Sequence, residues 1–211
     1  MMKFHNIEQG SQEWLDLRLG KITASRFNDV FSSGRGSAPS KTRASYMMQL
    51  VAEIITGLPQ NSFQNDAMIH GNECEPQARS NYELYTGVEV DQIGFVSFND
   101  LVGVSPDGLV GREGLLEIKC PKTTTQIQRY LDGVFPLEYK AQVQGQMWVC
   151  EREWCDFVSF DPRINGDARY FCTRVVRDDV FIKDMAKKIN IFIGELSEIL
   201  DKLDFENAVV L

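Results

Sequence analysis

Three residues of this sequence have the types and spacing to do chemistry together. Asp107 sits in Pro106-Asp107-Gly108, which has turn composition and directly follows an apolar run; Glu117 and Lys119 sit two apart in Leu115-Leu116-Glu117-Ile118-Lys119. The nine residues between Asp107 and Glu117 are enough to turn and enter an adjacent antiparallel strand. Strand side chains alternate between faces, so Glu117 and Lys119 share one face while Leu116 and Ile118 anchor the other in the core. Mg²⁺ prefers hard oxygen ligands and usually keeps several waters. Asp107 and Glu117 offer two carboxylates, and the Ile118 carbonyl lies between Glu117 and Lys119. Water on such a cation is more acidic than bulk water, and a neighbouring lysine can orient it, help its deprotonation or offset charge on a pentavalent transition state. The set suits phosphodiester hydrolysis. Charges at alternate positions also line the solvent face of an edge strand, and spacing alone leaves that alternative open.

Two further positions could complete such a site. Glu75 lies in His-Gly-Asn-Glu-Cys-Glu-Pro-Gln-Ala-Arg on a long helical pattern, where Glu73 and Glu75 point to different sides and at most one faces inward. Gln142 lies in Tyr-Lys-Ala-Gln-Val-Gln-Gly-Gln-Met-Trp, with Gln146 one helical turn on and on the same face. A glutamine there bonds an attacking water or caps a polar surface; a solvated acidic helix is the ordinary alternative for Glu75.

The elements that must position these residues follow from periodicity and stop signals. Short helices are expected at 11–18 and 24–31, the second capped by Thr23 or Ser25. Longer ones run over 42–56 and 66–86, ending at Gly57 and Gly87, with Pro76 placed to kink the second. Strands fit 94–98, 101–105 and 114–120, helices 123–131 and 138–150, then strands 154–160 and 168–176. A last helix over 179–203 carries Ile182, Met185, Ile189, Phe192, Leu196, Ile199 and Leu203 in steps of three and four, a core-facing stripe. The sum is a mixed α/β fold with a central mixed sheet flanked by helices. No repeat or domain-dividing linker interrupts it, so one domain over 1–211 is expected; Ser-Ser-Gly-Arg-Gly-Ser-Ala-Pro-Ser (32–40) reads as a loop.

Composition narrows the setting. Of 211 residues, 43% are hydrophobic and 25% charged, as in ordinary globular proteins. No apolar run approaches the roughly 20 residues of a membrane span, and the polar N-terminal stretch lacks a signal-like core, which together predict a cytoplasmic protein. The five cysteines are odd in number and none are paired as C-x-x-C, so buried free thiols are expected rather than disulfides or a zinc cluster. Two histidines, His5 and His70, leave little room for a Ser-His-Asp triad or a histidine-rich metal site. A net charge of −8 argues against a polyanionic partner, yet residues 1–47 hold seven Lys/Arg against four Asp/Glu. That basic excess comprises Arg18, Lys21, Arg26, Arg35, Lys41 and Arg43.

Taken in order, the runs Glu-Trp-Leu-Asp-Leu-Arg-Leu-Gly-Lys-Ile-Thr-Ala-Ser, Gly-Asn-Glu-Cys-Glu-Pro-Gln-Ala-Arg, Ser-Pro-Asp-Gly-Leu, Leu-Glu-Ile-Lys-Cys-Pro, Tyr-Lys-Ala-Gln-Val-Gln-Gly-Gln-Met-Trp-Val and Phe-Asp-Pro-Arg resemble the phage lambda exonuclease family. These YqaJ-like viral recombinases and alkaline exonucleases lie within the restriction-endonuclease-like PD-(D/E)XK nucleases, and the likeness spans nearly the whole chain. The resemblance implies a Mg²⁺-dependent exodeoxyribonuclease that digests one strand of duplex DNA from a 5′ end and leaves a 3′ single-stranded tail. It implies a homotrimeric ring around double-stranded DNA, work beside a single-strand annealing protein in phage or prophage recombination, and a bacterial host cytoplasm. It places Asp107, Glu117 and the Ile118 carbonyl on Mg²⁺, with Glu75 at the second of two ions and Mn²⁺ as a substitute. It gives Lys119 and Gln142 roles at the nucleophilic water. Arg18, Ser25 and Ser105 fall where the family grips the terminal 5′-phosphate, with Thr23 beside them, and Arg35 where it tracks the DNA groove. The sequence departs from the family at His70, where a large aromatic residue is expected; five residues before Glu75, it stands about 140° out of line on a helix. The role of Tyr139 is left open. A restriction-type endonuclease and a non-catalytic DNA-binding or assembly subunit are the alternative readings of the same fold.

Overall fold

The computed structural model describes residues 2–34, 40–60 and 66–203. In chain order the elements are β1 (Lys3–His5), α1 (Gln12–Arg18), β2 (Ile22–Thr23), a 3-10 turn (Ala24–Arg26) running into α2 (Phe27–Phe31), α3 (Lys41–Thr56), α4 (Asp66–Thr86), β3 (Val90–Asp91), β4 (Phe95–Ser97), β5 (Val102–Val104), β6 (Gly108–Val110) and β7 (Gly114–Lys119). Then come α5 (Thr123–Asp132), a 3-10 turn (Leu137–Tyr139) leading into α6 (Lys140–Cys150), β8 (Trp154–Phe160), β9 (Tyr170–Val176) and α7 (Asp179–Lys202). Every long element expected from periodicity is present. The central mixed sheet is the five-stranded one, ordered β3-β6-β7-β8-β9, and the remaining strands form a second sheet, ordered β1-β4-β5-β2. The additional strands β1, β2, β3 and β6 are two or three residues long, too short for alternation to show.

β7 occupies the centre of the five-stranded sheet, antiparallel to β6 and parallel to β8. The edge-strand alternative is thereby excluded. One face of the sheet packs Leu115 and Phe157 with Ala141, Val143 and Met147 of α6 in the larger core, which also takes in α2, α3 and α7. The opposite face buries Leu116, Ile118 and Val158 against Ala78 and Tyr82 of α4. The two faces alternate along β7 as the sequence requires.

Local signals act mostly as expected. Ser11 and Ser40 cap α1 and α3 through their hydroxyls, and Gly57 takes the left-handed conformation that ends α3. Thr23 instead begins a 3-10 turn and makes no capping side-chain bond, because its hydroxyl turns toward Ser25. α4 continues across Pro76. The stripe of α7 is buried from Ile182 to Leu196 and then drifts to Leu200, leaving Leu203 exposed, as a 3.6-residue period demands over a long helix. All five cysteines are free; Cys74, Cys150 and Cys155 are buried, but Cys172 is exposed on edge strand β9 and Cys120 is half-buried at the end of β7. Among the described residues no helix is long and apolar enough to cross a membrane.

α6 comes close to the preceding helices at Gly145, where an added Cβ would lie 2.4 Å from the Phe27 ring. Phe27 is fully buried and cannot yield freely. Gly145→Leu should therefore push α6 away from α2, destabilise the fold by about 1–3 kcal/mol and lower the melting temperature by several degrees. A variant that melts with the wild type would show that this close approach is not required.

Candidate active site

The site begins where a strand ladder stops. Gly108, Leu109 and Val110 of β6 pair with Leu116, Leu115 and Gly114 of β7. Continuing that register would bring Pro106 opposite Ile118, and proline has no N–H to give. The Ile118 N–H is bonded instead by the Asp107 side chain, through Oδ2 at 2.6 Å. Within one extended residue N–H and C=O point to the same side, so the Ile118 carbonyl is directed toward Asp107 as well. The same register brings Asp107 opposite Glu117. The turn, the missing proline donor and the strand pairing together assemble two carboxylates and one carbonyl oxygen.

Glu117 is 1% exposed, so its charge is almost wholly removed from water. Three donors compensate it. Lys119 Nζ lies 2.5 Å from Oε1, Gln142 Nε2 donates to Oε1 at 2.5 Å and Gln146 Nε2 donates to Oε2 at 2.7 Å. The two glutamines are one turn apart on the face of α6 that covers β7. Gln146 was visible in the sequence only as the companion of Gln142; its burial and its bond to Glu117 are what mark it as part of the site. Lys119 also lies 5.2 Å from the centre of the Tyr139 ring, and the Tyr139 hydroxyl accepts from buried Arg129 at 2.8 Å. Tyr139 thus walls the ammonium group in.

Glu75 approaches from α4, half-buried and paired with Arg79, while Glu73 is exposed. Its carboxyl is raised by burial, an effect partly offset by Arg79 and reinforced by the charge of Glu117. Asp107 is held well above the ordinary carboxylate range by burial first and then by Glu117 and Glu75. Burial would lower the Lys119 ammonium, but Glu117 and Asp107 outweigh it and hold Lys119 above its usual value. The net state is an acid-rich pocket with one firmly protonated lysine.

Arg18, Ser105 and Trp14 form a second group two residues upstream of Asp107. The Ser105 hydroxyl accepts from Arg18 Nη1 at 3.2 Å and from Trp14 Nε1 at 3.0 Å, and the guanidinium lies 4.1 Å from the centre of the Trp14 ring. Burial lowers Arg18 to about 10, which still leaves it cationic at neutral pH. Among the described residues it forms no ion pair, so its charge is available to an anion. Ser25 is exposed, with its hydroxyl 3.4 Å from that of buried Thr23. No bond joins Thr23 or Ser25 to Arg18 or Ser105 among the described residues. Arg35 lies outside the described residues. His70 contacts Cys74 Sγ rather than a carboxylate.

The oxygens present fit a hard divalent cation. Among the described residues no three His, Cys, Asp or Glu side chains converge to cage a metal by themselves. Two carboxylates and a carbonyl are nonetheless an adequate set for an ion that keeps several waters. The crowding that raises Asp107 is what such a charge would relieve.

Comparisons with known proteins give the family and the fold. The sequence model for the YqaJ-like viral recombinase domain matches residues 13–153, a span containing every site residue from Trp14 to Gln146. An uncharacterized protein of Acanthamoeba polyphaga mimivirus is 33% identical over 174 residues, 74% of this chain, and the chain spans only 30% of that relative's length. The crystal structure of an alkaline exonuclease from Laribacter hongkongensis is 40% identical with a TM-score of 0.83, covering 94% of this chain and 98% of that one. Its complex with dAMP matches with a TM-score of 0.85 at the same identity and coverage. A phage-related exonuclease from Haemophilus somnus 129PT shares the fold, with a TM-score of 0.65 at 16% identity over 87% of this chain and 96% of that one.

The raised carboxyl of Asp107 has a thermodynamic sign. The folded state holds that proton to higher pH than the unfolded chain does, so stability falls as pH rises and the group is forced to ionise. In EDTA, Asp107→Asn should melt above the wild type at pH 8, and the gap should narrow at pH 5, with each kcal/mol appearing as about 2–4 °C. A variant less stable than wild type at pH 8 would contradict the crowding.

Proposed function

The chain belongs to the YqaJ-like viral recombinase family, and from that premise we propose that its nuclease activity is 5′-to-3′ exodeoxyribonuclease action on duplex DNA, leaving a 3′ single-stranded tail for phage-type recombination. One observation carries the reading: an arginine–serine pocket for an anion is joined, through Ser105-Pro106-Asp107, to the carboxylates that would hold the metal. A terminal 5′-phosphate held by Arg18 and Ser105 would lie within a short reach of the cleavage site. The dAMP complex of the Laribacter hongkongensis relative, a nucleoside 5′-monophosphate on the same fold, supports a nucleotide ligand here.

In this reading Asp107, Glu117 and the Ile118 carbonyl hold Mg²⁺, with Glu75 serving a second ion and Mn²⁺ acceptable in place of Mg²⁺. When bound, the cation makes water acidic enough to attack and polarises a phosphate oxygen. Lys119, paired with Glu117, would orient the nucleophile and help its deprotonation, or offset developing negative charge. Gln142 holds Glu117 and is placed to bond the attacking water. Thr23 and Ser25, at the start of a 3-10 turn, would join the grip on the phosphate, and Arg35 would track the DNA groove. The whole is one nuclease domain acting as a homotrimeric ring beside a single-strand annealing protein. The ring places three basic N-terminal segments around one duplex and so offsets the acidic net charge.

End-labelled linear duplex should be digested with Mg²⁺ and spared in EDTA, while a closed circle should resist. Cutting of the circle would favour a restriction-type endonuclease, and no cutting at all a DNA-binding subunit. Lys119→Ala should cost about 10²–10⁴-fold in rate while DNA binding in EDTA persists; wild-type turnover would remove Lys119 from the reaction. Arg18→Ala should harm phosphorylated ends selectively, by about 10- to 150-fold for a lost charge-assisted bond. An unchanged rate ratio between phosphate and hydroxyl ends would exclude it from the pocket. Light scattering should give three times the 24.0 kDa chain mass without DNA; a processive monomer would end the ring account.

A further inference from the structure

We infer that Gln146 is a positioning residue that couples occupancy of the 5′-phosphate pocket to the orientation of Glu117, an inference that rests on the exonuclease reading above. Gln146 is 1% exposed, in the middle of α6. Its Nε2 donates to Glu117 Oε2 at 2.7 Å and, in a looser bond, to the Ser105 carbonyl at 3.4 Å. The hydroxyl of that same serine accepts from Arg18 and Trp14. One amide therefore touches both the buried carboxylate of the cleavage site and the residue that completes the anion pocket.

The segment between them is stiff enough to transmit a displacement. Pro106 is buried with its φ fixed by the ring, and its carbonyl accepts from Gln9 Nε2 at 3.0 Å, which also holds the Ile93 carbonyl at 3.1 Å. Ser105 and Pro106 are thus clamped through their carbonyls by two glutamines, one from α6 and one from the N-terminal loop. Asp107 follows, tied to the Ile118 N–H. A phosphate that draws on Arg18 and Ser105 pulls on this segment, and the Gln146 amide carries the pull to Glu117.

Support of Glu117 accounts for one of the amide's two contacts and not for the other. Gln146 Oε1 is buried and has no donor among the described residues. A desolvated acceptor is a cost that an apolar side chain of equal length would not carry. Lys119 and Gln142 both meet Glu117 Oε1, and Gln146 is the donor to Oε2. What Gln146 adds beyond that donor is the contact to Ser105.

The test compares wild type, Gln146→Met and Gln146→Asn on duplex ends bearing a 5′-phosphate or a 5′-hydroxyl. Saturating turnover with Mg²⁺ gives the kcat ratio of the two ends. Fluorescence anisotropy in EDTA gives their binding ratio. Wild type should favour phosphate in both. Gln146→Met should keep the binding preference and still fold, melting several degrees below wild type because Glu117 Oε2 loses its donor, yet its kcat ratio should fall by about 5-fold or more. Arg18→Ala should lose the binding preference itself. Gln146→Asn keeps an amide but is a methylene too short to span both partners, so it should lose the kcat ratio as well. It carries the test if the methionine variant is unstable. A wild-type kcat ratio in either folded variant overturns the coupling, and failure of both to fold marks Gln146 as structural and overturns it too. A wild type indifferent to 5′-phosphate is read from the wild type alone and removes the end-recognition reading together with this one.

Discussion

A carboxylate in the middle of a sheet is the constraint around which this molecule is arranged. Glu117 is a charged residue on the central strand of five, with almost no water to solvate it. Such a group is tolerable only when its lone pairs are met by donors of good geometry. The donors come from two directions. Lys119 arrives on the same strand face by the period of two, and Gln142 and Gln146 arrive from α6 by the period of nearly four. α6 must therefore lie at a fixed height and rotation over β7. The burial of Val143 and Met147 sets that height, and the close approach at Gly145 holds α6 against α2. The core here serves the charge as much as the charge serves the reaction.

The second carboxylate is handled in the opposite manner. Among the described residues Asp107 is given an Ile118 N–H but no ion-pair partner of its own, and it faces the charges of Glu117 and Glu75. Among the described residues Lys119 is the one cation directly paired with Glu117, while Arg79 is committed to Glu75. The pocket is consequently short of positive charge by design of its donor set. That deficit is a physical requirement for a divalent ion, since hard cations are selected by oxygen ligands with net negative charge. Arg18 shows the converse deficit, a half-buried guanidinium stacked on Trp14 and bonded to a neutral hydroxyl. An acid-rich pocket and a cation without a carboxylate, joined by three residues of chain, match a phosphodiester substrate whose end and scissile bond are close together.

Much of this was legible in the sequence, for identifiable reasons. Long elements announced themselves because periodicity accumulates: α4, α6, β8 and α7 fall within a residue or two of expectation. Glu117 and Lys119 were placed on one face by alternation alone, and Glu75 was separated from Glu73 by helical geometry. The split into two sheets was not legible, since β1, β2, β3 and β6 are too short to carry a pattern and acquire strand geometry only from their partners. Gln146 was seen but not recognised, because a glutamine on a helix is ordinary until the helix is known to cover a buried carboxylate. The exposure of Cys172 likewise depends on β9 being an edge, a property of topology rather than of local sequence.

The Ser105–Asp107 turn shows how little sequence is needed once the sheet exists. Ser105 follows β5, whose parallel partner β2 leads directly into the Ala24–Arg26 turn; Asp107 precedes β6, whose partner is β7. The two sheets therefore meet at Pro106. A residue with an N–H at that position could extend the β6–β7 ladder by another bond and occupy the Ile118 carbonyl. Proline removes that donor, fixes the backbone and leaves its own carbonyl to Gln9. The joint between sheets is thus also the joint between an anion pocket and an acid pocket. Their spacing is set by covalent geometry rather than by long side chains, which would have to be ordered at an entropic cost.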